Sequence, residues 1–379
     1  MKNKYIFKIN LIFSVFVIFP AKIKTLEISA RSAVIICADS GDVIWERDKD
    51  APGSMASTTK IMSALLTLEE AAARGNRDLE ITPEMVEVEG SSMGLEVGDV
   101  IDLESLAKGM LLPSGNDSAN AAAVSVSGNI ENFLKIMNAR AKQLGMKNTN
   151  FCTPSGLDFS DHHSTAYDMA ILGAYAMENE QFAEIVRKNY DTVKFKNSNK
   201  KITLKNHNKL LKLYKYCIGV KTGFTKRAGR CLVSCAEKDG VRLVAVTLND
   251  PDDWQDHISL YNYGFANITS RVFDEREFRA NLTVNNGEVD ELSVIGSTWF
   301  SRTFRSGKES EVKRQIELPE SIKAPVYEGQ VVGKAIYTLE GKKIGENTLT
   351  SEKTINAKVH KNIFQKIKEF ILKIFRIRQ

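Results

Sequence analysis

The chain of 379 residues holds 43% apolar and 26% charged residues with a formal charge of +5, proportions that exclude a disordered or fibrous chain. A single hydrophobic core seldom grows far past a few hundred residues, so two domains are expected. Seven basic residues after Ala357 face only Glu369. The rest of the chain is therefore nearly neutral and lacks the basic face a nucleic-acid binder needs.

In chain order, Lys2, Lys4 and Lys8 precede the apolar run Leu11–Phe19 and Pro20-Ala21. A basic start before an apolar run too short to span a bilayer reads as a secretory signal, placed at residues 1–26. No small-x-small triplet marks a cleavage point. From Leu26 to Ala266, strand-like runs at Ser32–Ala38 and Arg242–Leu248 are mixed with alanine-rich helical stretches at Met62–Gly75 and Ser118–Ser127. This pattern predicts an α+β domain over 27–268. Beyond Ser270 the chain turns to short strand-like segments, such as Leu282–Val284 and Val331–Leu339, between regularly placed glycines, which predicts a small all-β domain over 271–356. From 357 to 379, Ile363, Phe364, Ile367, Phe370, Ile371, Ile374 and Phe375 fall on one helical face among lysines. That is the pattern of an amphipathic helix on an anionic membrane surface.

Five cysteines, Cys37, Cys152, Cys217, Cys231 and Cys235, are too few and odd in number for a disulfide framework in an exported chain. Cys231 and Cys235 share a strand-like run, where four residues span roughly 13 Å. Disulfide Cα atoms must lie within about 7 Å, so these two should not bond each other.

A serine nucleophile without a histidine partner needs another base nearby, and a lysine three residues on lies one helical turn away. Ser57-Thr58-Thr59-Lys60 has this spacing, as do Ser198…Lys201 and Ser310…Lys313. Only Ser57 opens an apolar helix, where the dipole favours developing negative charge. Two further elements follow: Ser114-Gly115-Asn116 after Leu111-Leu112-Pro113, and Lys221-Thr222-Gly223 on a strand-like run. A second Ser-Gly-Asn, Ser127–Asn129, lacks the apolar-then-proline approach and reads as a chance match. Three elements in this order match the set used by penicillin-binding proteins and serine β-lactamases.

The resemblance extends to Leu111–Asp117, Gly145–Thr149, Ser155–Asp158, Asn206–Leu211 and Gly219–Thr225. The chain resembles the low-molecular-mass penicillin-binding proteins of the D-alanyl-D-alanine carboxypeptidase type. That resemblance implies a β-lactamase/DD-peptidase-like transpeptidase domain, an antiparallel sheet flanked by helices, followed by the small β domain. It implies a substrate, a peptidoglycan stem peptide ending in D-Ala-D-Ala, and β-lactams as covalent inhibitors, with no cofactor or metal. It assigns Ser57 as nucleophile, Lys60 as general base, Ser114 as proton relay, and Asn116 to the substrate amide. Lys221 and Thr222 would bind the terminal carboxylate, and Gly223 lies between them and Phe224. The backbone N–H groups of Ser57 and Phe224 would form the oxyanion hole. Burial and the charge of Lys221 would keep Lys60 neutral enough to act.

The segment Asn249–Trp254 departs from the commoner members, which tend to place an arginine nearby, and is similar to a spore-associated branch. A serine β-lactamase is the alternative, but a class A lactamase needs a Glu-x-x-Leu-Asn segment between the second and third elements, and none is present. A catalytically silent wall-binding protein would not need the full set. Asp161, His162 and His163 lack the helix-spaced histidine pair or cysteine cluster of a metal site. Thr165 and Asp168 are spaced instead as a capping box for the next helix. His207 lines the groove beside Lys209 or serves structurally, and Tyr214 and Tyr216 read as packing.

Overall fold

Residues 26–359 are described by the computed structural model. The signal region and the apolar stripe of the C-terminal segment lie outside the described residues. The first domain is built on a five-stranded antiparallel sheet of β1 (Ser32–Cys37), β2 (Val43–Arg47), β3 (Cys217–Thr225), β4 (Gly229–Lys238) and β5 (Val241–Leu248), in the order β2-β1-β5-β4-β3. Helices cover both faces, which is why these strands read as continuous apolar runs and not as alternating ones. Val34, Ile36, Val233, Val244 and Val246 enter the core on one face, and Ala33, Ile35, Leu232, Leu243 and Ala245 the core on the other. Cys231 and Cys235 share one face of β4, and all five cysteines are free.

The larger core holds α1 (Lys60–Arg74), α2 (Leu103–Leu111), α3 (Asn116–Ser127) and α4 (Ala166–Ala176). Every residue of α1 from Lys60 to Leu68 is buried, the mark of a helix enclosed on all sides. Each buried Leu, Ile or Met there contributes about 2 kcal/mol. One consequence is chemical: the first side chain of the helix, Lys60, is held out of water. The opposite face of the sheet is covered by α5 (Asp253–Ala266), anchored by a buried polar cluster of four side chains. There Ser234 Oγ meets His257 Nδ1 and Tyr261 OH, each at 2.6 Å, and Thr247 Oγ1 meets His257 Nε2 at 3.1 Å.

Two expectations are corrected in detail. The helix assigned from Met62 starts at Lys60, and Ser57 sits in the preceding 3-10 turn Ala56–Thr59, not in the helix itself. The capping box at α4 is half formed. Thr165 Oγ1 accepts from Asp168 N at 3.0 Å, but Asp168 Oδ2 turns away to accept from Asn148 N and Thr149 Oγ1 at 2.8 and 2.7 Å.

After α5 the chain enters an all-β region, with β6 (Ile268–Asp274) paired to β9 (Trp299–Arg305). A six-stranded sheet follows in the order β10-β12-β13-β8-β7-β11. Its strands are β7 (Arg279–Asn285), β8 (Glu291–Gly296), β10 (Lys313–Glu317), β11 (Ser321–Lys323), β12 (Val331–Leu339) and β13 (Lys342–Ser351). The β6–β9 pair touches the first domain through Thr303 N, which donates to Asp39 Oδ2 at 3.2 Å, and through Arg302 with Asp42. Among the described residues no helix is long and apolar enough to cross a membrane.

Candidate active site

The three sequence elements converge on one cleft of about 420 Å³ lined by Ser57, Ser91, Ser114, His207, Lys209, Thr222, Gly223, Phe224, Arg230, Asp253 and Trp254. Ser57 comes from the 3-10 turn, Ser114 from the turn before α3, and Thr222–Phe224 from the edge strand β3. Lys60, Asn116 and Lys221 lie beneath the floor, each almost fully buried. The two other Ser-x-x-Lys pairs are remote from it. Ser198 accepts from Lys200 N in an exposed hairpin turn, and Ser310 donates to Gly307 O in a short 3-10 turn of the β region. Ser127-Gly128-Asn129 is a helix junction. Gly128 closes α3 with a left-handed backbone, and Asn129 Oδ1 caps the next helix by accepting from Asn132 N.

Lys60 Nζ lies 3.0 Å from Ser57 Oγ and donates to the Ser155 carbonyl at 2.6 Å. Burial, reinforced by the nearby charge of Lys221, holds its amine well below the ordinary lysine range; Asp117 acts weakly the other way. Burial also lowers Lys221, to about 7, and its Nζ donates to Thr222 O at 2.8 Å. Two buried ammonium ions in one site would be costly, which is why both amines are held below the ordinary lysine range.

The turn that presents Ser57 is set by close backbone packing. Gly156, at φ +85°, approaches so near that a Cβ there would sit 2.0 Å from Ala56 O, and a Cβ at Gly223 would sit 3.1 Å from Ser57 N. Edge strand β3 therefore runs directly against the Ser57 turn. Ser114 has a left-handed backbone, φ +67°. Its turn is fixed by Gly115 N donating to Gly109 O at 2.8 Å and by Asn116 N donating to Ser91 O at 2.7 Å. Asn116 Nδ2 donates to Glu89 O at 2.7 Å, so it braces the cleft wall.

Two residues that shape the cleft, Asp117 and Arg230, escaped the sequence reading. Asp117 is nearly fully buried and accepts from Met93 N, Gly94 N and Leu95 N at 3.0–3.1 Å and from Ser92 Oγ, which fixes the loop bearing Ser91. Arg230 pairs with Asp253, and its guanidinium lies 5.5 Å from the Trp254 ring centroid. Asn249–Trp254 holds no arginine, but Arg230 on the neighbouring strand stands opposite Phe224 in the β3–β4 register and lines the cleft. Counting back through that hairpin was the signal that could have found it. His207 and Lys209 line the rim together, and burial and the charge of Lys221 lower the His207 pKa. Tyr214 stacks on Tyr261 with centroids 5.4 Å apart and meets Tyr216 edge-on, which is packing.

Residues 20–252 match the family described as D-alanyl-D-alanine carboxypeptidase, and residues 270–357 the penicillin-binding protein 5 C-terminal domain. The chain is similar to D-alanyl-D-alanine carboxypeptidase DacF of Bacillus subtilis, at 30% identity over 85% of each chain. It is also similar to DacA of Haemophilus influenzae, at 31% identity over 85% of this chain and 84% of that one. Among solved structures, penicillin binding protein 5 from Haemophilus influenzae superposes with a TM-score of 0.68 at 30% identity, covering 87% of this chain and 98% of the other.

Proposed function

The chain belongs to the D-alanyl-D-alanine carboxypeptidase family, and from that premise we propose that Ser57 is the nucleophile of a serine peptidase removing the terminal D-alanine from peptidoglycan stem peptides. The observation that carries the reading is the buried Lys60 amine 3.0 Å from Ser57 Oγ with its proton affinity lowered. A neutral amine offers one lone pair, and Ser57 Oγ–H can donate to it as the oxygen attacks the carbonyl of the penultimate D-alanine. Ser114, facing the same cleft, passes the proton to the leaving amine. Free D-alanine departs, and water then hydrolyses the Ser57 ester.

The backbone N–H groups of Ser57 and Phe224 receive the oxyanion where β3 packs on the nucleophile turn. The substrate carboxylate meets Thr222 and the half-buried guanidinium of Arg230, which Asp253 holds in place. Lys221, buried below, acts by holding down the charge of Lys60. Asn116 holds the cleft wall through Glu89 O and faces the substrate amide.

Ser57→Ala tests the nucleophile. Intact-mass measurement after penicillin treatment should show one added drug mass on the wild type and none on the variant, with Ser198→Ala and Ser310→Ala still labelled. Labelling that survives in Ser57→Ala would move the nucleophile elsewhere. The added mass should also persist far beyond a catalytic turnover, whereas return of free enzyme within seconds would favour a β-lactamase.

We further propose export through the N-terminal signal region, residence on the outer face of the cytoplasmic membrane, and peripheral attachment through 357–379. Deleting the residues after 357 should leave a penicillin-reactive enzyme that no longer sediments with anionic vesicles. Retained binding would place the anchor elsewhere. A role in sporulation is supported by the likeness of Asn249–Trp254 to a spore-associated branch.

A further inference from the structure

A buried histidine outside the three sequence elements touches the catalytic turn. His162 is 3% exposed, its Nε2 lies 2.9 Å from Thr59 Oγ1, and Cys152 N donates to its Nδ1 at 2.9 Å. A backbone N–H can only donate, so Nδ1 carries the lone pair and Nε2 carries the hydrogen and donates to Thr59. The ring has one tautomer and no free position. Thr59 adjoins Lys60 and stands two residues from Ser57. Cys152 opens the loop whose Pro154 carbonyl accepts from Ser63 Oγ, and whose Ser155 carbonyl accepts from Lys60 Nζ, both at 2.6 Å.

We infer that His162 is a positioning residue for the reaction, a neutral strut between Thr59 and Cys152 that holds the Ser155 carbonyl on the Lys60 amine. A neutral amine has two hydrogens and one lone pair. When the Ser155 carbonyl takes one hydrogen, rotation about the last side-chain bond is restricted and the lone pair can be aimed at Ser57 Oγ. The strut also keeps the loop pressed on the first turn of α1, which excludes water from Lys60. Burial holds the imidazole at about 4, with Asp158 opposing and His163 assisting, so the strut stays neutral throughout the working pH range. The groups acting on Lys60 are Lys221 from β3 and Asp117 from α3. His162 acts on it through geometry and solvent exclusion, not through charge.

Two substitutions cut the same bond from opposite ends. In His162→Asn the amide oxygen can still accept from Cys152 N, but the side chain stops short of Thr59. Thr59→Val keeps the shape of Thr59 without its hydroxyl. The expected result is a loss of about tenfold or more in the second-order rate of penicillin acylation in each. The acidic limb of the pH–rate profile should move upward by about half a pH unit or more, because water reaching Lys60 relieves its desolvation. The double variant should be no worse than either single one, since both remove one interaction. His162→Gln, whose amide nitrogen can reach Thr59, should recover part of the rate.

A merely structural histidine would lower the melting temperature and leave the acidic limb in place. An unmoved or downward-moved limb in folded His162→Asn and Thr59→Val overturns the inference, and so does additive loss in the double variant. Thr59→Val keeps the test readable if His162→Asn fails to fold. The inference rests on Lys60 being the base. A wild-type profile with no ionisation below the ordinary lysine range would refute that reading, whereas an ionisation present in the wild type but unmoved in the variants refutes the strut alone.

Discussion

Replacing Gly156 with alanine would strike the contact that sets the Ser57 turn. The new methyl would sit 2.0 Å from Ala56 O, 2.6 Å from Ala56 C and 2.9 Å from Thr59 Oγ1, on a backbone at φ +85°. A left-handed backbone at a residue with a Cβ costs roughly 1–2 kcal/mol, and forcing an extra methyl into a packed interior roughly 1–3 kcal/mol. The sum is about 2–5 kcal/mol. For a unit of this size each kcal/mol lowers Tm by about 2–4 °C, so a fall of roughly 4–20 °C is expected. To restore an ordinary contact, Ala56 must retreat by roughly 1.5 Å or more, carrying Ser57 with it, and a misplacement of even about 1 Å can slow a reaction about 100-fold. Differential scanning calorimetry and the second-order rate of acylation by a fluorescent penicillin measure the two effects. Gly128→Ala is the control, because it shares the left-handed backbone, φ +83°, but its methyl would meet nothing within 4 Å. It should lose only the conformational part and acylate normally. If Gly156→Ala melts and acylates like Gly128→Ala, the close packing of this loop on the nucleophile turn does not control the site.

Asp117→Ala removes the acceptor of three backbone N–H groups in the loop bearing Ser91, and should cost roughly 3–5 kcal/mol in denaturant unfolding and loosen the cleft wall. Loss below about 1 kcal/mol would show that the loop holds itself. Lys221 has a folded pKa lowered to about 7. Between that value and the ordinary lysine range the unfolded chain binds a proton that the native protein lacks, so stability rises with pH across this window. In Lys221→Met that rise should become shallower by up to about 1.4 kcal/mol per pH unit. An equal slope in both proteins would mean that Lys221 is not desolvated as described.

The parts legible in the sequence were those with strong local signals. The β4 and β5 strands read as apolar runs because the sheet is covered on both faces, and α3 was found to within two residues. The Ser57, Ser114 and Lys221 elements were found by spacing and local context, and the structure brings them to one cleft. The 3-10 turn at Ser57 was missed because it is shaped by Gly156, a hundred residues away, whose approach leaves no local mark. Arg230 and Asp117 were missed for a related reason. Arg230 enters the cleft through the register of a hairpin, and Asp117 works by binding the backbone of a loop far from it in the chain. In the β region, β7 pairs in parallel with the short edge strand β11, an arrangement that period-two alternation cannot distinguish from a meander. Asp168 had the spacing of a capping residue, but two donors from the Asn148-Thr149 segment compete for its carboxylate and win.

Release of free D-alanine from a synthetic stem pentapeptide ending in D-Ala-D-Ala is the measurement that bears most directly on the central claim. The account predicts one equivalent of D-alanine per peptide with a tetrapeptide product, and loss of release both in Ser57→Ala and after prior treatment with penicillin. Release that continues undiminished in Ser57→Ala, or a wild-type enzyme that binds the pentapeptide and leaves it intact, would contradict it.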